Sequence, residues 1–321
     1  MKKNQTLVKW GLFALLSFIW GSSFLLMLIG LEKLNAWQVA ATRLFAAGII
    51  LLPFAWSTMK KVPKEKITYI ILSGFLGSFF PAFLFCLAET RLDSSFAGTL
   101  NSLTPVFVIL VGMFFFNLKV KWRQVIGIFI SFTGSICLFM AKSGKTGDLL
   151  YVGFIVLATI LYGLNVNMVG LKLKAIPSFD IAVLAFSFLS FPSLIILIAF
   201  QTQHLNFHDP HVLNSVIAGA LLGILGTTAA SVLFYVLLKK AGGIFASTVT
   251  YGIPFVAIIW GWIYHEKITV AVILSLLVIL LGIFITNTND KPFRWLGGLI
   301  KNVPKAPKDS LETSLREKNR E

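Results

Sequence analysis

The chain has 321 residues, of which 57% are hydrophobic and 13% charged, and its mean hydropathy is +0.85. Soluble domains carry about 25% charged residues, so the composition excludes a soluble globular protein and predicts an integral membrane protein. The net charge of +15 raises the possibility of nucleic-acid binding, which the distribution of the basic residues argues against.

Apolar stretches of about 20 residues, the length that crosses a bilayer core of roughly 30 Å, predict ten transmembrane helices. They are expected near 8–29, 36–56, 67–88, 94–116, 122–141, 150–170, 179–200, 213–237, 243–264 and 268–288. The first stretch is too long for a signal peptide and lacks a small-residue cleavage site. We therefore take it as the first helix of the mature protein.

The basic residues fall mainly on one side of this predicted bundle. If the N-terminus is cytoplasmic, the loops and tail on that side hold 22 Lys and Arg residues and the opposite loops hold five. Cytoplasmic loops of membrane proteins carry such an excess. Both termini are therefore predicted to be cytoplasmic, and the positive charge reflects topology and not a nucleic-acid partner.

The sequence contains an internal repeat. Residues 70–112 align without gaps with 219–261 at 12 identical positions of 43, where roughly one match in twelve is expected by chance in such a composition. A second gapless alignment places helix 1 on helix 6, with Trp20 over Tyr162. We predict one five-helix repeat over 1–141, a second over 150–288, and a basic, disordered cytoplasmic tail over 289–321. Because five is odd, the second repeat is inverted in the membrane, as in many transporters.

The repeat aligns two proline-containing stretches, FAGTLNSLTPVF (96–107) and FASTVTYGIPFV (245–256). An interior proline kinks or breaks a helix, and irregular backbone at membrane depth survives where it lines a cavity or is buried in protein. Pro105 and Pro254 are therefore predicted to mark the walls of a central pathway. The alternative is that these prolines are simply tolerated, since proline is frequent in membrane helices.

The chain resembles the EamA-like transporters of the ten-helix drug/metabolite transporter superfamily over about 8–288. The resemblance rests on WGSSF (20–24), TRLFAAG (42–48), SSFAGTLNSLTPVF (94–107) and FASTVTYGIPFVAIIWGWIYHEKIT (245–269). It implies export or exchange of small metabolites. The family often has a glutamate at the end of the proline-containing helix in both halves; here Glu266 keeps it, and its repeat partner is Asn117.

Arg43 is the charged residue that lies deepest in a predicted span, about 10 Å below the outer boundary at roughly 1.5 Å per residue. A charge within a membrane indicates a functional site by default. Arg43 could pair with Glu89 or Glu266 on the outer side, either for coupling or as a purely structural ion pair. It could equally bind the carboxylate of a substrate or act in gating.

Other polar and aromatic residues are expected at the depth of the pathway. Their side chains could hydrogen-bond a solute, although Ser, Thr and Asn also bridge packed helices. Trp20 and Tyr162 could face an apolar or cationic group, or simply pack. Glycines on helices 3 and 8, including Gly77 and Gly226, are interpreted as packing positions. The polar candidates are Ser22, Ser23, Asn101, Ser102, Thr104, Asn165, Asn167, Thr227, Thr228, Thr248, Thr250 and Tyr251.

Several other chemistries have no support in the sequence. Cys86 and Cys137 fall inside predicted spans and are expected to be buried free thiols, while the histidines of HLNFHDPH (204–211) are expected in a solvated loop. No P-loop or HExxH motif occurs. We therefore expect no metal, no cofactor and no enzymatic activity.

The sequence thus predicts an all-α integral membrane protein with ten transmembrane helices in two inverted five-helix repeats. We expect a secondary transporter that works by alternating access in the cytoplasmic (inner) membrane of a bacterium. It would export or exchange small polar metabolites such as amino acids. Efflux of drugs or organic cations is the main alternative, ahead of a channel, a lipid flippase or a membrane-embedded enzyme. The oligomeric state is left open.

Overall fold

The computed structural model describes residues 2–92, 94–141, 149–263 and 269–287. Within these ranges the chain is mostly helical, and the contacts below lie in one compact unit, Met1–Thr286. The predicted tail over 289–321, like Glu266, lies outside the described residues.

Helices α1 to α5 form the first half of the bundle. They are α1 (Lys2–Leu31), α2 (Ala36–Ile49 and Leu52–Lys61), α3 (Lys64–Glu89), α4 (Ser94–Asn101 and Thr104–Phe116) and α5 (Trp122–Ala141).

Helices α6 to α10 form the second half. They are α6 (Leu149–Lys172), α7 (Ser178–Ala199), α8 (Pro210–Ala241), α9 (Gly243–Ser247, a 3-10 turn over Thr248–Gly252, and Ile253–Ile263) and α10 (Val270–Asn287). A 3-10 turn over Thr202–His204 follows α7.

These segments match the ten predicted spans. Among the described residues, five helices are long and apolar enough to cross a membrane, and the two segments of α2 make a sixth span if they are taken together. Shorter apolar helices in α4, α5, α9 and α10 supply the remaining four. Over the residues that the structure describes, the protein is therefore all-α, with ten helices that fit a membrane protein.

Helix α2 differs from the prediction, because the structure replaces one span over 36–56 with two segments bent by 61°. Pro53 is the second residue of the Leu52–Lys61 segment. Its ring has no N–H to donate and collides with the preceding turn, so the helix ends at Ile49 and restarts. The start of α2 is fixed by a capping box, in which Asn35 Oδ1 accepts from Gln38 N at 2.9 Å and Gln38 Oε1 accepts from Asn35 N at 3.0 Å.

Helices α4 and α9 are both interrupted just before their prolines. In α4 the helix stops at Asn101 and restarts at Thr104, so that Pro105 is the second residue of the new segment. In α9 the 3-10 turn over Thr248–Gly252 precedes Ile253–Ile263, of which Pro254 is the second residue. A proline near a helix start costs nothing, because its N–H would have no helical partner there.

Helices α3 and α8 contain π-helical stretches at positions that the repeat matches. They span Phe75–Phe79 in α3 and Leu222–Ala229 in α8, and the alignment of 70–112 with 219–261 places the first inside the second. Such stretches are rare and frequently lie at functional sites. The sequence analysis did not predict them.

Close helix contacts also recur between the halves. A Cβ added to Gly77 on α3 would collide with the amide of Asn165 on α6, and one added to Gly226 on α8 would lie 2.6 Å from Ser23 Oγ on α1. The repeat relates these two contacts, because Gly77 aligns with Gly226 and Asn165 aligns with Ser23. Small residues let membrane helices approach closely, so the two halves use glycine at the same places.

Two clusters of buried apolar side chains stabilise the bundle. Apolar cluster 1 includes Leu16, Val169 and Leu237, and apolar cluster 2 includes Met27 and Ile155. Many large apolar side chains instead face outward, as expected where the solvent is lipid; examples are Phe114, Phe115, Trp122, Ile195 and Leu274.

The two cysteines are free, as predicted, but they differ in burial. Cys86 on α3 is buried, whereas Cys137 on α5 is exposed. The prediction of a buried thiol at position 137 was therefore wrong, because this side of α5 faces away from the bundle.

Candidate functional site

A cavity lies about halfway along the helices, between the two apolar clusters. Trp20 on α1 lines it, and the same helix contributes Leu16 to apolar cluster 1 and Met27 to apolar cluster 2. Tyr162 on α6 lines it in the same way, between Ile155 and Val169 of the two clusters. The cavity therefore sits near the middle of the membrane-spanning bundle.

The cavity has a volume of about 80 Å³, counted as the space that the centre of a water molecule can reach. A single water needs roughly 10–15 Å³ by this measure, so the cavity has room for several waters or a small solute. Its walls are lined by Trp20, Arg43, Gly77, Ser78, Asn101, Thr104, Tyr162, Asn165, Val166, Gly226, Thr227, Ser231, Phe234, Tyr235, Ser247 and Thr250.

Arg43 brings a guanidinium group to this cavity. Its Nε donates a hydrogen bond to Thr227 Oγ1 at 2.6 Å, and Thr227 Oγ1 lies 3.3 Å from the carbonyl oxygen of Leu222. Thr227 belongs to the π-helical stretch of α8, so the widened turn presents the hydroxyl that holds the arginine. A fixed guanidinium can bind a carboxylate through two parallel hydrogen bonds.

Asn165 on α6 presents an amide to the same cavity. Its side chain is 5% exposed, and its Oδ1 is buried without a hydrogen-bond partner. Gly77 leaves the space that this amide occupies. Buried polar atoms are nearly always hydrogen-bonded, so an open acceptor on a cavity wall points to a ligand or water that donates to it.

Two aromatic pairs line or support the cavity walls. Trp20 packs on Phe234 with ring centroids 5.3 Å apart, and Tyr162 stacks on Phe85 at 6.2 Å. The repeat relates the two pairs, because Trp20 aligns with Tyr162 and Phe85 aligns with Phe234. Trp20 Nε1 also donates to the carbonyl oxygen of Gly226 at 3.1 Å, which ties α1 to the π-helical stretch of α8.

Eight predicted residues line the cavity together: Trp20, Arg43, Asn101, Thr104, Tyr162, Asn165, Thr227 and Thr250. They come from six different helices, so the sequence pattern identified residues that only the fold brings into one place.

Other predicted residues lie away from the lining and form contacts between or within helices. Ser22 Oγ accepts from Trp260 Nε1 at 3.0 Å, and Tyr251 hydroxyl donates to the carbonyl oxygen of Ile128 at 3.0 Å. Asn167 Nδ2 donates to backbone carbonyl oxygens on α4 and α6. The remaining residues outside the lining are Ser23, Ser102, Pro105, Thr228, Thr248 and Pro254, all of them buried.

Neither acidic candidate is among the described residues that line the cavity. Glu89, at the end of α3, is buried, while the hydrogen bond shown for Arg43 is to Thr227. Glu266 lies outside the described residues. Pairing of Arg43 with either glutamate stays a prediction.

The sequence analysis missed several lining residues as members of a site: Gly77, Ser78, Val166, Gly226, Ser231, Phe234, Tyr235 and Ser247. One signal was available. The alignment that matches Asn101 with Thr250 also matches Gly77 with Gly226 and Ser78 with Thr227. Gly77 and Gly226 were interpreted as packing positions alone, whereas they also form the cavity wall.

Trp20→Phe is expected to lower stability modestly, because it keeps the ring contact with Phe234 but loses the hydrogen bond to Gly226. The lost hydrogen bond is worth about 1 kcal/mol, and Trp20→Ala should cost about 3 kcal/mol or more. Thermal unfolding of the purified protein in detergent measures both. Trp122→Phe, at a side chain 71% exposed, is the control, and an equal effect of Trp20→Phe and Trp122→Phe would contradict this role.

Comparisons with known proteins agree on the kind of molecule. The model of the EamA-like transporter family matches residues 8–140 and again 149–288. Protein PagO of Salmonella typhimurium is 24% identical over 283 residues, which cover 86% of this chain and 91% of PagO. The uncharacterized transporter YoaV of Bacillus subtilis is 23% identical over 281 residues, covering 84% and 94% of the two chains.

A solved crystal structure has the same fold. It superposes with a TM-score of 0.66 at 14% identity and covers 92% of this chain and 99% of its own.

Proposed function

This chain belongs to the EamA-like transporter family, and from this premise we propose that it is a secondary transporter of small polar metabolites such as amino acids. The observation that carries the proposal is the polar cavity between the two apolar clusters, with the Arg43 guanidinium on its wall. Transporters built from inverted repeats bind substrate near the membrane midplane, at interrupted helices.

The proposed mechanism is alternating access. Helices α4 and α9 are interrupted at matched prolines, and helices α3 and α8 contain matched π-helical stretches. All four helices contribute residues to the cavity. Because irregular backbone can change its local geometry without breaking a regular helix, these are the places where the two halves would rearrange around a bound solute.

The proposed location is the cytoplasmic membrane of a bacterium, with both termini in the cytoplasm. The supporting observations are the excess of Lys and Arg on one side of the bundle and the similarity to PagO of Salmonella and YoaV of Bacillus. This orientation would put Arg43 nearer the outer side of the membrane.

Efflux of organic cations is the second candidate. The rings of Trp20, Tyr162 and Phe234 on the cavity wall favour it, since aromatic faces attract cations. The guanidinium of Arg43 on the same wall opposes it, because like charges repel strongly where water is scarce. Solutes that carry a carboxylate therefore fit the cavity better.

Uptake of a labelled amino-acid mixture into inside-out membrane vesicles tests the proposal. We expect uptake that depends on the protein, saturates with concentration and shows counterflow. An imposed proton gradient, compared with none, separates proton-coupled transport from exchange or facilitated diffusion.

Vesicles without the protein are the control. Flux that never saturates would indicate a channel. Uptake equal to that of the control vesicles in both conditions would remove amino acids as substrates, and the same assay with labelled organic cations would then test the second candidate.

A further inference from the structure

Half of the cavity lining is symmetric, but its charge is not. The repeat alignments match several of the lining residues in pairs: Gly77 with Gly226, Ser78 with Thr227, Asn101 with Thr250, and Trp20 with Tyr162. Arg43 has no such partner in the lining. Continued into helices α2 and α7, the alignment of Trp20 with Tyr162 places Ala185 at its position in the second half. Ala185 is fully buried in a helix contact against Gly74.

Arg43 is also the one charged side chain among the described residues that line the cavity. Its Nε is used by Thr227, which orients the guanidinium and leaves its two Nη groups to bind a ligand. The parallel N–H groups of a guanidinium match the geometry of a carboxylate. The part of the cavity wall at Arg43 is therefore suited to an anion.

Asn165 supplies a hydrogen-bond acceptor, whereas Arg43 supplies donors. Its Oδ1 is a buried acceptor with no hydrogen-bond partner, on a side chain that is 95% buried and that lines the cavity. Its match in the first half is Ser23, which already donates to the carbonyl oxygen of Ile19 at 2.8 Å and lies outside the lining. A further asymmetry is therefore a buried carbonyl oxygen without a hydrogen-bond partner, which suits a hydrogen-bond donor.

We propose that the cavity holds its solute in one fixed orientation, with a carboxylate on Arg43 and an ammonium group on Asn165 Oδ1. The proposal rests on the transport function proposed above and narrows it to zwitterionic solutes. The rings of Trp20, Tyr162 and Phe234 offer an apolar surface for the hydrocarbon part of the solute. Asn165, one of the polar candidates of the sequence, is thus a specificity-determining residue.

Binding of three probes with the same hydrocarbon body tests this orientation. They are phenylalanine, 3-phenylpropionate, which lacks the ammonium group, and 2-phenylethylamine, which lacks the carboxylate. We expect the full-length purified protein, in detergent and followed by calorimetry, to bind phenylalanine about tenfold or more tighter than either analogue, as hydrogen bonds to charged groups imply.

Substitutions of Arg43 and of Asn165 should have opposite effects on the binding of the two analogues. Arg43→Gln should weaken the binding of phenylalanine and 3-phenylpropionate about tenfold. The binding of 2-phenylethylamine should be unchanged or tighter. Asn165→Leu should weaken the binding of phenylalanine and 2-phenylethylamine and leave the binding of 3-phenylpropionate unchanged. Asn165→Asp keeps the shape of the side chain and adds a negative charge, so it should tighten 2-phenylethylamine.

Arg91→Gln is the matched control, because it removes the same charge from an exposed outer position and should leave all three affinities unchanged. Equal loss of all three probes in Arg43→Gln and Asn165→Leu, or no preference for phenylalanine in the wild type, overturns the proposal. Absence of binding of every probe to the wild type overturns it too. If Arg43→Gln does not fold, the tightening of 2-phenylethylamine by Asn165→Asp decides, since it requires a folded protein.

The vesicle assay distinguishes a failure of this proposal from a failure of the transport function. Saturable amino-acid uptake together with unaltered probe preferences would leave the carrier function standing and reject the orientation. The expected probe preferences without any uptake would keep the orientation and reject the carrier function.

Discussion

Replacing Arg43 with alanine is expected to lower the transport of a carboxylate-bearing solute by about tenfold or more. Hydrogen bonds to charged groups contribute about 1.5–3 kcal/mol, and each 1.4 kcal/mol or so is a factor of ten in affinity. The ratio kcat/KM from initial rates of amino-acid uptake into inside-out vesicles measures the effect. The kcat/KM of Arg43→Lys should lie between the values of the wild type and Arg43→Ala, because lysine keeps the charge but lacks the planar pair of donors.

The control for this prediction is Arg91→Ala, which removes a charge from an exposed position and should leave transport unchanged. The alternative role of Arg43 is structural, through its hydrogen bond to Thr227. In that case Arg43→Ala would lower the unfolding temperature without changing kcat/KM per folded molecule. That outcome would contradict a direct contact with substrate.

The ten spans and the repeat were predictable because they depend on length and composition. An apolar stretch must cover the hydrocarbon core, and a proline favours a break or a helix start, although Pro192 lies inside α7. The breaks before Pro105 and Pro254 follow from that rule. Pro53 obeys the same rule and ends the first segment of α2, although the apolar stretch around it reads as one span.

The orientation of each helix about its axis was not predictable in the same way. A water-soluble helix shows an apolar stripe that identifies its buried face, but a membrane helix is apolar toward lipid and toward its neighbours alike. Ser22 and Tyr251 therefore looked equivalent to Asn101 and Thr250 in sequence. In the structure the first two bond to neighbouring helices, and the last two line the cavity.

The sequence did not predict the π-helical stretches, for a related reason. One extra residue in a helical turn leaves no mark in composition, and it is stabilised by contacts that form only when helices meet. Thr227 lies in such a stretch and accepts from Arg43, 184 positions away in the chain. The same widened turn supplies the carbonyl oxygen of Gly226 to Trp20. Both contacts join segments that only the tertiary fold brings together.

Gly223→Ala is expected to destabilise the protein strongly, because an added Cβ would collide with the carbonyl oxygen of Arg43 and lie 3.0 Å from its carbonyl carbon. Backbone atoms cannot rotate away as a side chain can, so α8 must move away from α2. Overpacking of this kind costs about 3 kcal/mol. Thermal unfolding of the purified protein in detergent measures the loss, and vesicle uptake should fall as well, since Thr227 lies one turn further along α8.

Two other glycines provide controls for this substitution. Gly153→Ala has no neighbour within 4 Å of the new Cβ and should be neutral or stabilising by up to about 1 kcal/mol. Gly74→Ala, at the matching position in the first half, would meet Ala185 Cβ and Leu189 Cδ1 at 3.2 Å. This overlap is milder than the one at Gly223, so the loss of stability should be smaller. An unchanged unfolding temperature in Gly223→Ala would contradict the close α2–α8 contact.

The expected difference in stability between the Gly223 and Gly74 substitutions follows from the neighbours that helices α2 and α7 present to these glycines. In the second half, α7 presents the small side chain of Ala185 to Gly74. In the first half, α2 presents the backbone of Arg43 to Gly223, and the arginine side chain extends to Thr227, one turn further along α8. A glycine at position 223 thus permits a backbone contact close enough for Arg43 to reach the cavity wall. The asymmetry in packing and the asymmetry in charge thus coincide at one position of the repeat, where Arg43 aligns with Ala185.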